Sequence, residues 1–451
     1  MRAVLAVLLA LACACGDSSS STPDGGGGGD DDGGDGSIDP TGDGGTSGAQ
    51  TVKLTLTNRP MNAQPFSFFV AYQDGSAPWQ PAPPPSGDTY SLPIHAPTYG
   101  VAYGCISNVT GTTPAQLRTV TIAQFAVGER TELTLDVPAR CSDRGGDTVT
   151  LSGSVQNRPF GGATVVQFGD RSAVVGNISG NFTLQTPPGT HDLVVAHAIS
   201  EGNGEFLVDE ALVVRDVAVT GATNRTIDFS GAEPTQSFPV IVNVNSTNVR
   251  VVASTALYTA NGTALGTVRE SQGLESIALA GAQMRPSDVY DQAIALAVPG
   301  QGVTLTNATS TPGTQTFVPV PLLGMPSTSV PARMPYPILQ TTWPAYDNSV
   351  GYAWSASQQP GWQQCGGNQS CTIAWTAYLS PGVTGATPGF RMPALADLPA
   401  WKSAFELADN AQVVGSVTAM TSSAGTGDFP PGTPAGGTRR AFVRGDFAVT
   451  P

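Results

Sequence analysis

Charge is what this chain has least of. Only 12% of its residues are Asp, Glu, Lys or Arg, about half the share usual in globular proteins. The 20 basic residues are outnumbered by 34 acidic ones, for a formal net charge of −14. No basic patch is present to meet phosphates, which excludes nucleic acid as a partner. Histidine is scarcer still: there are 3, namely His95, His191 and His197. None sits in an HExxH pattern or a close pair, so each reads as a surface strand position and no metal is expected. His191 and His197 share a face by alternation, yet lie about 20 Å apart along an extended strand, too far to share an ion. Also missing are a Gly-x-Ser-x-Gly elbow, a phosphate-binding loop, a dinucleotide fingerprint and any marked carboxylate pair. The reading is therefore non-enzymatic, with no catalytic residue and no cofactor. Helix formers in periodic runs are scarce too, which excludes a helical bundle.

What the chain has in abundance is turn chemistry and alternation. It contains 54 Gly and 37 Pro, and Val52, Leu54 and Leu56 interleave with Lys53, Thr55 and Thr57 in a two-residue period. Similar runs follow at Phe66–Tyr72, Tyr90–Ile94, Tyr99–Tyr103, Val120–Ile122 and Leu133–Val137. Short alternating runs between Pro/Gly/Asn clusters predict an all-β protein of tandem β-sandwiches, Ig-like or transthyretin-like. The Pro-rich stretch 78–85 is expected to be a loop, because proline cannot feed a sheet ladder.

The first fifteen residues set the compartment. Arg2 precedes an apolar run from Ala3 to Ala12, and small residues then lead into cysteine, the layout of a secretory signal peptide. The run is too short for a membrane-spanning helix, which needs about 20 apolar residues. The ending Leu11-Ala12-Cys13-Ala14-Cys15-Gly16-Asp17 resembles the lipobox of bacterial lipoproteins, in particular those of soil deltaproteobacteria. The resemblance implies a thioether-linked lipid on Cys15, with Cys13 as the alternative, cleavage before that cysteine, and acyl chains such as palmitate as anchor. The implied partner is a membrane and the implied location the cell envelope, as an outer-membrane lipoprotein. Residues 16–50 are almost entirely Ser, Gly, Asp, Thr and Pro and read as a disordered linker. As flexible coil they would span roughly 30–35 Å. Their aspartates, Asp30 to Asp32 and Asp35 among them, lack the closing glutamate of a calcium loop and read as solvated linker.

Beyond the linker, residues 51–145, 146–232 and 233–330 read as three β-sandwiches and residues 331–451 as an aromatic-rich β domain. The first two echo each other. Asn157-Arg158-Pro159 repeats Asn58-Arg59-Pro60, Phe182-Thr183-Leu184 repeats Tyr90-Ser91-Leu92, and Arg215–Val219 repeats Arg118–Ile122, while Thr226–Phe229 loosely repeats Thr134–Val137. The second unit, through Leu151–Val155, Gly162–Val165, Gly176–Phe182 and Pro187–Val195, resembles the carboxypeptidase regulatory-like domain. That resemblance implies a transthyretin-like seven-stranded sandwich and no activity, since such domains serve as accessory modules on unrelated surface proteins.

Four cysteines remain beyond the anchor. In an exported chain an even count reads as disulfides, and sequence order favours Cys105 with Cys141 and Cys365 with Cys371. The last unit concentrates aromatics: Trp343, Tyr346, Tyr352, Trp354, Trp362, Trp375 and Tyr378. Residues 397–407, with Asp397 as cap and Pro399 in the first turn, are predicted to form a short helix. Trp354, Trp362 and Trp375, near the Cys365–Cys371 loop, are the candidate ligand-binding residues, able to stack on sugar rings if exposed and core if not. The leading functional reading is a lipid-anchored envelope protein with a structural, adhesive or scaffolding role, whose partner is an envelope polysaccharide or protein. The alternatives are a carbohydrate-binding lipoprotein using the last unit, and a secreted hydrolase whose site the motifs do not disclose.

Overall fold

The computed structural model describes residues 49–451 apart from 58–67, 110–114, 139–140, 142–147, 170, 201–205, 243–248, 271–274, 279–282, 362 and 366–369. Cys13, Cys15, the linker up to residue 48, Asn58-Arg59-Pro60 and Trp362 thus lie outside the described residues.

Alternation becomes strand wherever one side of a run can be buried. In the first unit the strands are β1 (Gln50–Thr57), β2 (Phe68–Asp74), β3 (Gln80–Pro81), β4 (Thr89–Ile94), β5 (Thr98–Val109), β6 (Ala115–Ala126) and β7 (Glu132–Asp136). Val52, Leu54 and Leu56 on β1 are completely buried while Lys53 points to solvent, as period two requires. Two residues of the proline-rich stretch do pair, as β3 at the sheet margin. Proline is tolerated there because an outer edge asks for no further N–H.

The second unit comprises β8 (Val149–Gln156), β9 (Ala163–Phe168), β10 (Arg171–Val174), β11 (Asn181–Thr186), β12 (Gly189–Ser200), β13 (Phe206–Val219), β14 (Thr223–Asp228) and the two-residue β15 (Glu233–Pro234). The third comprises β16 (Gln236–Val242), β17 (Arg250–Tyr258), β18 (Ala264–Glu270), β19 (Glu275–Ala278), β20 (Val289–Val298), β21 (Gln301–Thr309) and β22 (Gln315–Phe317). The last comprises β23 (Ser327–Ala332), β24 (Ile338–Thr342), β25 (Gly351–Gln358), β26 (Ser370–Leu379), β27 (Gly389–Arg391), β28 (Val413–Ser422) and β29 (Arg439–Val449).

One strand plan recurs in every unit. Counting strands within a unit, the first lies between the fourth and the seventh in one sheet, as β4-β1-β7, β11-β8-β14 and β19-β16-β22. The facing strands run three-two-five-six, as β3-β2-β5-β6, β10-β9-β12-β13 and β18-β17-β20-β21. The last unit keeps this order in β26-β25-β28-β29, and counted from β24 its smaller sheet β23-β24-β27 places β23 where the seventh strand would be. The residue echoes noted above fall on equivalent strands: Phe182–Leu184 and Tyr90–Leu92 on the fourth, Arg215–Val219 and Arg118–Ile122 on the sixth.

The units are not strung out in sequence order. Their four-stranded sheets fuse edge to edge into a 12-stranded sheet, β18-β17-β20-β21-β29-β28-β25-β26-β6-β5-β2-β3, in which the last unit sits between the third and the first. β26 pairs in parallel with β6 from Ser370↔Ala115 to Leu379↔Gln124. β21 pairs antiparallel with β29 from Gln301↔Gly445 to Asn307↔Arg439. Fusion consumes edge N–H and C=O groups that would otherwise template aggregation. The second unit stays out because β15 already covers the corresponding edge of β13, and Pro234 has no N–H with which to continue the ladder. One apolar cluster runs beneath the fused sheet through three units, from Phe69 and Ile122 through Trp354 and Trp375 to Val303 and Ile294.

The predicted helix at 397–407 does not form. Leu398 N–H bonds to Leu395 O, Trp401 N–H to Leu398 O, and only Ser403–Phe405 makes a single 3₁₀ turn. Pro399 supplies no N–H between these turns, and Leu398, Trp401, Phe405 and Leu407 are instead folded down individually onto the aromatic core.

Candidate functional site

Of the three candidate ligand-binding tryptophans, Trp362 lies outside the described residues, and Trp354 and Trp375 are buried in the core. Trp354 and Trp375 alternate with Ser and Thr on β25 and β26, and both face the covered side of the fused sheet with no exposed surface. Trp354 packs on Phe390 at 4.9 Å and donates its indole N–H to Thr341 Oγ1 at 2.9 Å. Trp375 lies 5.8 Å from Trp401 and 6.0 Å from Tyr336, and donates to Phe405 O at 3.0 Å. With their faces covered and their N–H groups satisfied, neither can stack on a sugar. The reason is architectural: strand periodicity separates two faces, and here the sheet β23-β24-β27 and the chain around Tyr336–Leu407 roof the aromatic one.

The cysteines pair as sequence order suggests. Cys105 bonds Cys141 with Cα atoms 5.8 Å apart, and Cys365 bonds Cys371 at 5.4 Å. Among the described residues no three His, Cys, Asp or Glu side chains gather at metal-binding distance.

The histidines divide. His95 is on the surface, its Nδ1 3.0 Å from Asp74 Oδ2. His197 is not a surface residue: it is 1% exposed, with Nδ1 2.7 Å from Asp209 Oδ1 and Nε2 2.9 Å from Gly161 O. An imidazole can be buried here because both nitrogens have partners. His191 is half-buried, set edge-on against Phe168 and donating from Nδ1 to Asn261 O at 2.9 Å.

That last contact belongs to a dense polar constellation, the joint between the second and third units. Arg215 on β13 lies between two carboxylates with no exposed side-chain surface, 2.8 Å from Asp192 and 2.6 Å from Asp288. Its Nη2 also donates to Gln283 O at 2.5 Å. The backbone completes the shell: Asp216 N–H reaches Asp192 at 2.9 Å, while Ala260 and Arg285 N–H reach Asp288 at 3.0 and 2.8 Å. The local kink in β13 makes this possible. An extra residue between Val214 and Val217 breaks the β12–β13 register, and Asp216 there takes φ = 54°. A β-bulge re-aims side chains in this way, and Asp216 thereby meets Asn261 at 2.6 Å and Arg285 at 2.8 Å across the joint. Burial raises the Asp192 carboxyl, and the Asp216 N–H and Arg215 outweigh it, so the group titrates below the ordinary carboxylate range. Sequence reasoning had no signal for this set, whose members lie 23 and 73 residues from Arg215.

A second acid, half-buried Asp291, is only partly compensated. Asp291 on β20 faces the other side of the fused sheet; its Oδ1 is buried with no hydrogen-bond partner, and burial first of all lifts its carboxyl from 3.8 to about 6, against the pull of Thr306 and Arg440. An acid raised in the folded state costs stability once ionised. That cost is absent below about pH 4, grows as pH rises through 6, and is full at pH 7. Asp291→Asn is expected to gain about 2–3 kcal/mol at pH 7 and nothing at pH 3.5. Urea unfolding at the two pH values checks both.

No family model matches the chain, and no curated protein matches it in sequence. Among solved structures it is similar to the FN1-FN3 domains of chicken CNTN1, at 9% identity over 85% of this chain and 90% of that one, with a TM-score of 0.17. It is also similar to a streptococcal ancillary pilin, at 10% identity over 60% and 99% of the two chains, with a TM-score of 0.14. A third likeness is to the Bacillus anthracis TIE protein, at 10% identity over 83% and 63%, with a TM-score of 0.14. At these TM-scores the likenesses carry no argument about function. By its own sheets the protein is a set of four fused or bonded β-sandwich units.

Proposed function

We propose that this is a non-enzymatic, lipid-anchored protein of the cell envelope with a structural or adhesive role, held off the membrane by the linker that precedes residue 50. The observation that carries this reading is the joining of the units. Three share one sheet, and the fourth is fixed to its neighbour through Arg215, which makes a stiff body from modules that would otherwise swivel on linkers. Stiffness of this kind suits load-bearing or presentation and supplies no chemistry. The shared strand plan also supports extending the carboxypeptidase regulatory-like resemblance from the second unit to all four, as an accessory module used repeatedly. The anchor itself rests on the lipobox-like ending at Cys15.

The test is fractionation of the native chain followed by mass analysis of its N-terminus. The expected result is a detergent-soluble chain that begins at Cys15, or at Cys13, and carries diacylglyceryl and amide-linked acyl groups, with Cys15→Ser shifting it to the aqueous phase. An unacylated start downstream of Cys15 overturns the anchoring. Turnover of generic ester, peptide or glycoside substrates that is lost in one point variant overturns the non-enzymatic reading.

A further inference from the structure

The end of the second unit remote from its joint carries an unusual concentration of bare apolar side chains. Of the ten large hydrophobics that are exposed among the described residues, Phe160, Val174, Ile178 and Ile199 all lie there, and Phe160 and Ile178 are exposed at 107% and 103%. Exposed apolar side chains scattered singly need no explanation, whereas a cluster does. The joint is at the Gly169 end of β9, where Gly169 N–H bonds Thr263, and this cluster is at the Ala163 end, about 20 Å away along the strand.

Phe160 and Ile178 crown two tight turns, Asn157–Gly162 and Gly176–Gly180, which are built stiffly. Asn157, Gly161, Gly162 and Gly180 take positive φ of 55°, 93°, 61° and 69°. Arg158 staples one turn to the other by donating Nη2 to Gly176 O at 2.9 Å and to Asn177 O. His197 holds Gly161 from below, and Asn157 bonds Asp228 at 2.8 Å. The bases of the turns are tied down by these polar contacts, while the two apolar side chains at their tips stand bare. Neither turn contains an acidic residue, in a chain whose net charge is −14. Asp228 and Asp209 stand below, each already engaged by Asn157 or His197.

We propose that this tip inserts Phe160 and Ile178 into an anionic lipid surface, giving the protein a second membrane contact. A bilayer accepts separate projecting side chains without a matching pocket, and burial of apolar surface together with attraction between Arg158 and lipid phosphates is what holds interfacial elements in place. The contact goes beyond the proposed role and does not depend on acylation.

The probe is the chain from Gly16 to Pro451, which keeps every described strand and carries no lipid, mixed with phosphatidylethanolamine/phosphatidylglycerol vesicles. Co-sedimentation is expected, with apparent affinity at least tenfold lower for Phe160→Ser/Ile178→Ser and lower again on neutral phosphatidylcholine vesicles. The urea midpoint of the double variant should match the parent, since both side chains are fully exposed. The proposal is overturned if the parent does not sediment, if the double variant sediments equally, or if the tip instead drives self-association without vesicles. Because no lipidated cysteine is present, none of these outcomes bears on the anchor at Cys15.

Discussion

Arg215→Met should lower the stability of the second and third units by about 3–5 kcal/mol at pH 7. Among the described residues, the guanidinium is the one side-chain cation within hydrogen-bond distance of two carboxylates that expose nothing, Asp192 and Asp288. Methionine has a similar reach and fills much of the same space, so packing loss is small and the penalty measures two buried anions left without a counter-charge. The cycle that isolates this is Arg215→Met with Asp192→Asn and Asp288→Asn. With all three groups neutral, most of the loss should be recovered. The pH dependence has a defined sign. Asp192 is held below the ordinary range in the native state, so its stabilisation is present above the unfolded-state value and is lost as pH falls through the lower folded-state one. The parent therefore weakens on acidification. The Arg215→Met chain, in which the Asp192 carboxylate loses its cationic partner, should weaken less, so that the gap between the two narrows from pH 7 towards pH 3. Denaturant midpoints at several pH values read this directly, and a gap that is constant with pH would assign the loss to packing.

The contrast between what the residues announced and what they concealed follows from the range of each interaction. Val52, Leu54 and Leu56 state their burial within one strand, because period two is a local property. The recurrence of Phe182–Leu184 against Tyr90–Leu92 was legible for the same reason, and it falls on equivalent strands of equivalent sandwiches. The fusion of β26 to β6 was not legible. It is made by backbone groups that every residue owns, and the buried side chains of Ile373 and Trp375 would look alike in a free-standing sandwich. The joint was hidden differently: Asp192, Arg215 and Asp288 are individually ordinary residues, and only the bulge at Asp216 aims them at one point. His197, expected at the surface, sits in the run Leu193-Val194-Val195-Ala196, whose burial it shares, and Asp209 with Gly161 makes that tolerable. Phe160 and Ile178 were also unremarked, since two apolar residues in glycine-rich turns carry no period at all.

The same logic governs the second large effect, that of Trp375→Ala. Trp375 shares one face of β26 with Ile373 and Ala377, and period two alone does not tell whether such a face meets solvent. It meets Tyr336, Trp401 and, through its N–H, Phe405 O. Truncation removes the largest kind of side chain from a roofed site and strands the Phe405 carbonyl, at a cost of about 3–5 kcal/mol. The cavity cannot collapse easily, because β26 is pinned on one side by β25 and on the other by the parallel ladder to β6. The loss should therefore reach across the junction. Hydrogen exchange at Ile122 and Val120 on β6 should accelerate in Trp375→Ala, although both belong to the first unit. A surface-stacking tryptophan would behave in the opposite way: alanine there would leave the urea midpoint within about 0.5 kcal/mol of the parent and leave exchange on β6 untouched. Protection on β6 that is unchanged in a destabilised Trp375→Ala chain would mean that the three units do not share one cooperative sheet, and would remove the stiffness on which the proposed structural role rests.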